Sequence, residues 1–235
     1  MEQIYTIPVN EAFDEVIAKS EVGCPFCVMY RRLQNNELDT ILGASMMEPN
    51  IRMKTNELGF CHNHYSMMKR RSRNLSLALV LESHLDEVIK RVDGRTIIGK
   101  TAKCAASGLS ELESSCYVCG RVDGFLSAMI ANTVYLFETD EEFRKKMEKA
   151  PYFCLPHYRA MLDYSMAKLS KKNFRELYKL VYGIERSYVA SLKNDISTFC
   201  RSFDYRYSDV PVDSKVKASI PRTEKFLSGE MGWEE

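Results

Sequence analysis

Cys24-Pro25-Phe26-Cys27 and Cys61-His62-Asn63-His64 are followed later in the chain by a second set, Cys116-Tyr117-Val118-Cys119 and Cys154-Leu155-Pro156-His157. The third ligand follows the second by 34 positions in the first set and by 35 in the second. Each set offers three thiols and one imidazole, which is the ligand set of a closed tetrahedral zinc site. The spacing therefore predicts two Cys3His sites, one within each half of the chain. Their ligands are Cys24, Cys27, Cys61 and His64, and Cys116, Cys119, Cys154 and His157.

The two sets are offset from each other by 92 positions at the first ligand and by 93 at the third. A near-constant offset of this kind indicates an internal duplication. The repeated unit would be a Cys-x-x-Cys pair, a helix, a short helix, a Cys-x-x-His pair and a long helix. We expect the first unit to cover residues 1–93 and the second 116–207. A connector at 94–115 and a C-terminal tail with a short helix at 208–235 complete the predicted organisation.

Apolar residues recur at helical spacing in both halves, and no convincing series of strands is present. One long helix is predicted over 65–92, and one of its faces can be lined by Met68, Leu75, Leu79, Leu85, Val88, Ile89 and Val92. A second is predicted to begin near residue 154 and to break near 170–173. The fold class is therefore all-α, with two pseudo-repeated helical units packed as one body and each pinned by a Cys3His zinc site.

Composition places the chain among ordinary globular proteins, with 28% charged and 45% hydrophobic residues. The formal net charge is +1, so no global field favours nucleic acid or membrane as a partner. The first residues lack the pattern of a secretory signal, and no apolar segment is long enough to span a bilayer. We expect a cytoplasmic protein. In a reducing cytosol eight cysteines favour metal binding over disulfides, and the histidine that ends each set supports metal.

His62 competes with His64 for the first site. The second set has Leu155 at the position of His62 and His157 at that of His64, so the repeat favours His64 as the ligand. Four strong donors fill a tetrahedral shell, whereas a catalytic zinc keeps one position open. The sequence therefore favours two structural Zn²⁺ ions. An iron–sulfur cluster is the alternative, although histidine ligation is a minority arrangement there.

Other features of the sequence have an ordinary structural interpretation beside a functional one. Cys24-Pro25-Phe26-Cys27 can be a thioredoxin-like redox pair, but the βαβ context of that motif is missing. The basic run Lys69-Arg70-Arg71-Ser72-Arg73 can contact nucleic acid, or it can be a solvated helix face that offsets thiolate charge. His84 is interpreted as an interhelical histidine, and Cys104 and Cys200 as thiols outside the metal pattern.

Several motifs in order resemble a family of uncharacterised bacterial proteins, a domain of unknown function. The likeness runs through Ile7-Pro8-Val9-Asn10-Glu11-Ala12-Phe13, the four ligand motifs, Glu141-Glu142-Phe143-Arg144, Phe203-Asp204-Tyr205-Arg206 and Phe226-Leu227-Ser228-Gly229. The resemblance implies a bacterial, cytosolic, non-secreted protein. It carries over no activity.

The function expected from these residues is that of a zinc-stabilised scaffold that binds a protein or small-molecule partner without chemistry of its own. The chain has no Gly-rich phosphate loop, serine nucleophile elbow or His-Glu-x-x-His motif, so an enzymatic role has no support beyond the metals. The alternative is a redox- or metal-responsive sensor whose thiolates release zinc on oxidation. A nucleic-acid-binding regulator that uses the basic run is the third hypothesis.

Overall fold

The computed structural model describes residues 5–43, 47–96, 99–207 and 212–229. These residues form an all-α fold, as predicted. The helices are α1 (Thr6–Ala18), α2 (Pro25–Ile41), α3 (Pro49–Leu58), α4 (His62–Arg70), α5 (Asn74–Val92), α6 (Ala102–Ser114), α7 (Tyr117–Thr139), α8 (Glu141–Met147), α9 (Leu155–Lys168), α10 (Lys171–Arg201), α11 (Ser214–Lys217) and α12 (Ser219–Ser228). Short 3-10 turns cover Ser20–Val22 and Tyr205–Tyr207.

The predicted connector at 94–115 contains two short strands and a helix. Two-residue strands β1 (Arg95–Thr96) and β2 (Gly99–Lys100) pair in antiparallel fashion and lead into α6. Thr101 caps this helix, because its side-chain oxygen accepts a hydrogen bond from the backbone N–H of Cys104. The segment contains three glycines, and one of them, Gly108, lies inside the helix.

The long helix predicted over 65–92 is two helices, α4 and α5, separated at residues 71–73. Ser72 takes a φ of 56° at this break, a conformation that non-glycine residues seldom adopt. The residues predicted to share one apolar face differ in burial, and Met68 among them is fully buried. Leu85, Ile89 and Val92 are 57%, 59% and 58% exposed, whereas Val80 and His84 are buried on α5. The exposed side chains lie one or two turns apart and form an apolar stripe on α5.

The break predicted near residues 170–173 is confirmed between α9 and α10. Ser170 is the N-cap of α10, and its hydroxyl accepts a hydrogen bond from the Asn173 N–H. The capping residue of α8 is Asp140, since its carboxylate accepts from the Phe143 N–H. Asp140 has the extended backbone that an N-cap requires.

The short helix predicted in the C-terminal tail is α12, and Gly229 follows it with a φ of 73°. α11 precedes it in the predicted tail at 208–235. Residues 208–211 and 230–235 of that tail lie outside the described residues. Within the described ranges, no helix is both long and apolar enough to cross a bilayer.

The chain divides into two compact units. Unit 1 comprises Met1–Arg31 and Leu126–Glu235, and unit 2 comprises Arg32–Phe125. These limits differ from the predicted boundaries at 93 and 116, because the chain passes between the units within α2 and α7. Each of these two long helices begins in one unit and ends in the other.

The core of unit 1 is centred on four fully buried aromatic rings. Phe13 lies 6.4 Å from Phe26, 5.0 Å from Phe143 and 6.2 Å from Phe153, measured between ring centroids. Edge-on and tilted contacts at these distances are favourable beyond the burial of apolar area. In unit 2, α5 packs against α3 and α6.

Candidate metal centres

All four ligand pairs lie at the N-termini of helices: α2, α4, α7 and α9. In each pair the first cysteine precedes the helix, and the second ligand is its third residue. The carbonyl of the first cysteine accepts the backbone N–H four residues later, at 3.2, 3.1, 3.1 and 2.8 Å respectively. Each pair therefore lies on one helical turn. The helix N-terminus supplies unpaired N–H groups and a positive dipole end, which stabilise thiolates.

The first cluster, cluster 1, contains Cys24 and Cys27 of α2 together with Cys154 and His157 of α9. Nδ1 of His157 lies 3.0 Å from the sulfur of Cys154, 3.5 Å from that of Cys27 and 3.8 Å from that of Cys24. The sulfurs of Cys27 and Cys154 are 3.5 Å apart. All four ligands are at most 3% exposed. Cluster 1 lies within unit 1.

The second cluster, cluster 2, contains Cys61 and His64 of α4 together with Cys116 and Cys119 of α7. Nδ1 of His64 lies 3.1 Å from the sulfur of Cys61, 3.3 Å from that of Cys116 and 3.5 Å from that of Cys119. His64 is buried, but the three cysteines are partly exposed. Cluster 2 lies within unit 2.

The predicted assignment of one site to each half of the chain is therefore wrong. The structure pairs the first ligand pair of one half with the second ligand pair of the other, so the clusters are crossed between the halves. Equal spacing along the sequence shows which ligand pairs correspond, but not which of them meet in space. Only the packing of the helices distinguishes the two pairings.

Both clusters have the donors and dimensions of a tetrahedral zinc site. In each, the four ligand atoms lie within 4.8 Å of one another. Zn–S and Zn–N bonds of about 2.3 and 2.0 Å place tetrahedral donors roughly 3.5–3.8 Å apart. The observed separations of 3.0–3.8 Å in cluster 1 and 3.1–3.9 Å in cluster 2 bracket that value. No disulfide links any of the eight cysteines, all of which lie in the described ranges.

Within each cluster the thiols differ in acidity. Hydrogen bonds from Cys154 and Cys24 hold the pKa of Cys27 far below that of an ordinary thiol. A hydrogen bond from Cys119 is the main cause that lowers the pKa of Cys116 to about 3. Burial raises the pKa of Cys24, and the hydrogen bond to Cys116 raises that of Cys119. Each protein cluster by itself favours one thiolate, and a bound cation would displace the remaining thiol protons.

The two histidines differ at their second ring nitrogen. Nε2 of His64 lies 2.9 Å from the side-chain amide of buried Gln34. When Nδ1 of His64 binds a metal, Nε2 carries the proton, and the amide oxygen of Gln34 is the group that accepts it. A flip of the Gln34 amide, which exchanges its oxygen and nitrogen, brings that oxygen to Nε2. Nε2 of His157 is buried, and none of the described residues is its hydrogen-bond partner. Gln34 is a supporting residue that no motif in the sequence indicates.

Glu185 of α10 supports the segment that enters cluster 1. Its Oε1 accepts the backbone N–H of Phe153, the residue before Cys154, at 2.6 Å. The side chain is buried, and Oε2 has no hydrogen-bond partner among the described residues. Burial raises the pKa of Glu185 to about 7. Nothing in the sequence pattern distinguishes this glutamate from the exposed charges around it.

Glycines precede the first cysteine of two ligand pairs. Gly23, directly before Cys24, has a φ of 103°, and an added Cβ would lie 2.8 Å from the hydroxyl of Tyr152. Gly59, two residues before Cys61, has a φ of 57°, and its Cβ would lie 2.9 Å from the ring of His84. Only glycine adopts these conformations without strain, so both residues set the path of the chain into a cluster.

The remaining histidines and cysteines lie outside the clusters. His62 is exposed, which agrees with the choice of His64. His84 is buried, and its Nδ1 bonds the carbonyl of Asn56 at 2.9 Å, so it joins α5 to α3 as an interhelical histidine. Cys104 and Cys200 are exposed.

The basic run after cluster 2 makes contacts within unit 2. Arg71 donates to the carboxylate of Asp39 at 3.2 Å and to the side chain of Asn35 at 2.6 Å. Arg73 donates to the carbonyl of Asp39 at 3.3 Å. These contacts join α4 and its C-terminal turn to α2. They favour the structural interpretation of the run over a nucleic-acid surface.

Comparison with known proteins places the chain in a family but gives it no activity. No curated protein and no solved structure matches the chain significantly. A family model described as a family of unknown function, DUF6062, matches residues 1–233, so the chain belongs to that family.

Proposed function

We propose that the protein binds two Zn²⁺ ions, one in each cluster, and that both ions are structural. The observation that carries this proposal is the convergence of three thiols and one imidazole, at tetrahedral separations, in two places. Zinc suits this donor set better than a hard cation, which prefers oxygen ligands. An iron–sulfur cluster remains the less favoured occupant, because histidine ligation is uncommon there.

A structural role follows from the number of donors and their location. Four protein ligands complete a tetrahedral shell and leave no position for a substrate. Each ion would join the N-termini of two helices that are far apart in sequence: the linked residues Cys27 and Cys154 are 127 positions apart, and His64 and Cys116 are 52 apart. Binding energy at such sites contributes directly to folding.

Measurement of the zinc content tests both the number of bound ions and the crossed pairing of the ligands. The purified protein should contain close to two zinc ions per chain. The double variant Cys24→Ser/Cys154→Ser removes two ligands from cluster 1 alone and should retain one zinc. The double variant Cys24→Ser/Cys61→Ser removes one ligand from each cluster and should weaken both ions. If the sites were instead formed within each half, the two variants would exchange these results.

The matched control is Cys104→Ser/Cys200→Ser, which changes two exposed thiols outside the clusters. It should keep both ions and the stability of the parent protein. A parent protein that binds less than one metal ion per chain after expression in zinc-supplemented medium would overturn the proposal. Iron with visible absorption in place of zinc would overturn the choice of metal.

We further propose that the zinc-stabilised fold serves as a scaffold that binds a partner. The apolar stripe of Leu85, Ile89 and Val92 on α5 supports a binding role, since neighbouring exposed apolar side chains mark interaction surfaces. Ile89→Glu should leave zinc content and thermal stability unchanged, because the side chain is 59% exposed. A destabilised variant would show that the stripe is part of the core and would contradict this role.

A second candidate function is a thiolate sensor at cluster 2, and the partial exposure of its three sulfurs favours it. In this reaction the thiolates of Cys61 and Cys119, whose sulfurs are 3.9 Å apart, form one disulfide and lose two electrons. A peroxide accepts those electrons and is reduced to water, and the zinc ion is released. Restoration of the zinc by a thiol reductant, without unfolding, would support the sensor. Irreversible loss of both the structure and the zinc would contradict the sensor function and leave only the scaffold function.

A further inference from the structure

Helix α10 presents an exposed face of cations and tyrosines that no part of the proposed metal chemistry uses. We call it the basic–tyrosine face. Its members are all exposed and are Lys171, Arg175, Tyr178, Lys179, Tyr182, Arg186, Val189 and Lys193. At 100° per residue these positions fall within an arc about 100° wide, so they form one continuous surface. From Lys171 to Lys193 the face extends over 23 residues, or about 33 Å of helix.

The charge of this face has a single sign. Five of its eight residues are lysine or arginine, and none is acidic. Within the described parts of the chain, none of these five cations lies within 4.0 Å of a carboxylate oxygen, unlike Arg144, which pairs with Glu176 at 3.4 Å. The helix has two further acids, Glu185 and Asp195, and both are buried. The face therefore favours a polyanion.

Aromatic rings are interleaved with these charges. Phe174, Tyr178 and Tyr182 form a ladder with centroid separations of 6.0 and 5.7 Å and ring planes within 29° of parallel. The two tyrosines are 42% and 43% exposed. Nη1 of Arg186 donates to the hydroxyl of Tyr182 at 3.4 Å, which places a cation beside the outer ring. Neither charge pairing nor burial requires tyrosine at these exposed positions.

Cations that follow a backbone, combined with accessible aromatic rings, are the features that bind single-stranded nucleic acid. A bilayer fits less well. An interfacial helix must insert its apolar face, and the apolar residues Leu177, Val181 and Leu192 of α10 are buried in unit 1. An acidic protein would match the charges but would leave the stacked rings without a role.

We propose that the basic–tyrosine face of α10 binds single-stranded DNA or RNA, with the lysines and arginines on the phosphates and the tyrosines against the bases. The proposal is independent of the metal sites. The face is as long as a site of several nucleotides, within the roughly 4–16 that single-strand modules cover. The basic run at 69–73, in which Arg71 and Arg73 contact Asp39, takes no part in it.

Fluorescence anisotropy with labelled dT12 and rU12 tests the proposal on the zinc-loaded full chain. Affinity should fall as salt rises from 50 to 200 mM, with a log–log slope of about −2 to −3.5 for three to five phosphate contacts. Lys179→Gln/Arg186→Gln should weaken binding at least tenfold and make the slope shallower by about 1.4. Tyr182→Ala should weaken binding about fivefold or more without changing the slope.

The matched control is Lys54→Gln/Lys103→Gln, which removes two exposed lysines of unit 2. It should bind like the parent protein. Four outcomes would overturn the proposal: no binding at 50 mM salt, an equal loss in the control, equal affinity for a duplex or for polyglutamate, or binding to phosphatidylserine vesicles but not to the oligonucleotides. All substituted side chains are exposed, so circular dichroism should show unchanged folding.

Discussion

Clusters 1 and 2 contain the same four donors on the same kind of helical turn, yet their surroundings differ. The ligands of cluster 1 are at most 3% exposed, and the ring of Phe26 lies 5.8 Å from that of His157. Cluster 2 has three partly exposed cysteines. Identical ligands therefore define two sites that are expected to differ in stability and in access to reagents. The difference lies in the residues around the ligands rather than in the ligands themselves.

Burial and hydrogen bonding of the ligands make a larger energetic difference between the two clusters than the length of the chain between their ligand pairs. Closing the longer loop of cluster 1, 127 residues against 52, changes the loop-closure entropy by only about 0.8 kcal/mol. Removal of one ligand from a buried ionic site costs roughly 3–5 kcal/mol. The comparison predicts that loss of a ligand lowers the free energy of unfolding more at cluster 1 than at cluster 2, and that reagents reach cluster 2 more readily.

The largest expected effect is the loss of a buried ligand. Cys154→Ser should lower the free energy of unfolding by roughly 3–5 kcal/mol, because it leaves an incomplete metal shell within the core. Cys119→Ser should cost roughly 1–3 kcal/mol, because water reaches its cluster. Thermal and denaturant unfolding at saturating zinc measure both, with Cys104→Ser as the control. Equal losses at the two clusters would remove the distinction between them.

The next largest effect is expected from substitution of Gln34, the residue beside His64. Gln34→Ala should lower the zinc affinity of cluster 2 by about 10–100-fold, since the amide no longer orients His64 through Nε2. Gln34→Glu should retain most of the affinity, because a carboxylate also accepts the Nε2–H. Competition with a zinc chelator measures the two sites as separate phases. A shift of the cluster 1 phase, or equal effects of the two substitutions, would contradict the role of Gln34.

The rate of oxidation tests whether peroxide reaches the thiolates of cluster 2 more readily than those of cluster 1. With hydrogen peroxide and a colorimetric zinc indicator, one zinc ion should be released at least about tenfold faster than the other, because reactivity follows exposure of the thiolates. Mass spectrometry should then locate the first disulfide among Cys61, Cys116 and Cys119. Simultaneous release of both ions, or a first disulfide between Cys24 and Cys27, would show that burial does not protect cluster 1.

The smallest effect concerns Glu185 beside cluster 1. Its folded-state pKa, raised to about 7 from 4.5, means that the folded state binds the proton more tightly, so stability falls as pH rises between these values. Glu185→Gln keeps an acceptor for the Phe153 N–H and removes the ionisation. The stability of this variant relative to the parent should therefore rise by roughly 1–3 kcal/mol from pH 5 to pH 8. Unfolding curves of both proteins at saturating zinc test this, and a pH-independent difference would refute it.

The eight clustered cysteines and histidines and the fold class were accessible from sequence because both depend on local patterns. Cys24-x-x-Cys27 and its three counterparts lie within single helical turns, and the apolar period identifies helices without knowledge of their neighbours. The break before α10 was predictable from Ser170. The duplication stays a prediction, although α2 to α5 and α7 to α10 follow the same order of ligand pairs and helices.

The features missed depend on contacts between distant segments. The crossed pairing, the division of the chain within α2 and α7, and the supporting roles of Gln34 and Glu185 all require knowledge of which helices meet. The exposed side chains of Leu85, Ile89 and Val92 are a further example, because their burial also depends on which helices meet. Periodicity identified an apolar face on α5 but not whether another element covers it.

The crossed pairing has a consequence for biosynthesis. A ribosome that has synthesised residues 1–115 has produced Cys24, Cys27, Cys61 and His64, a full set of zinc donors, before the second ligand pair of either native cluster exists. Zinc captured by the emerging chain at this stage would join ligands that the folded protein holds in different clusters. Native folding then requires ligand exchange after Cys154 and His157 have been made, so the timing of metal delivery becomes part of the folding pathway.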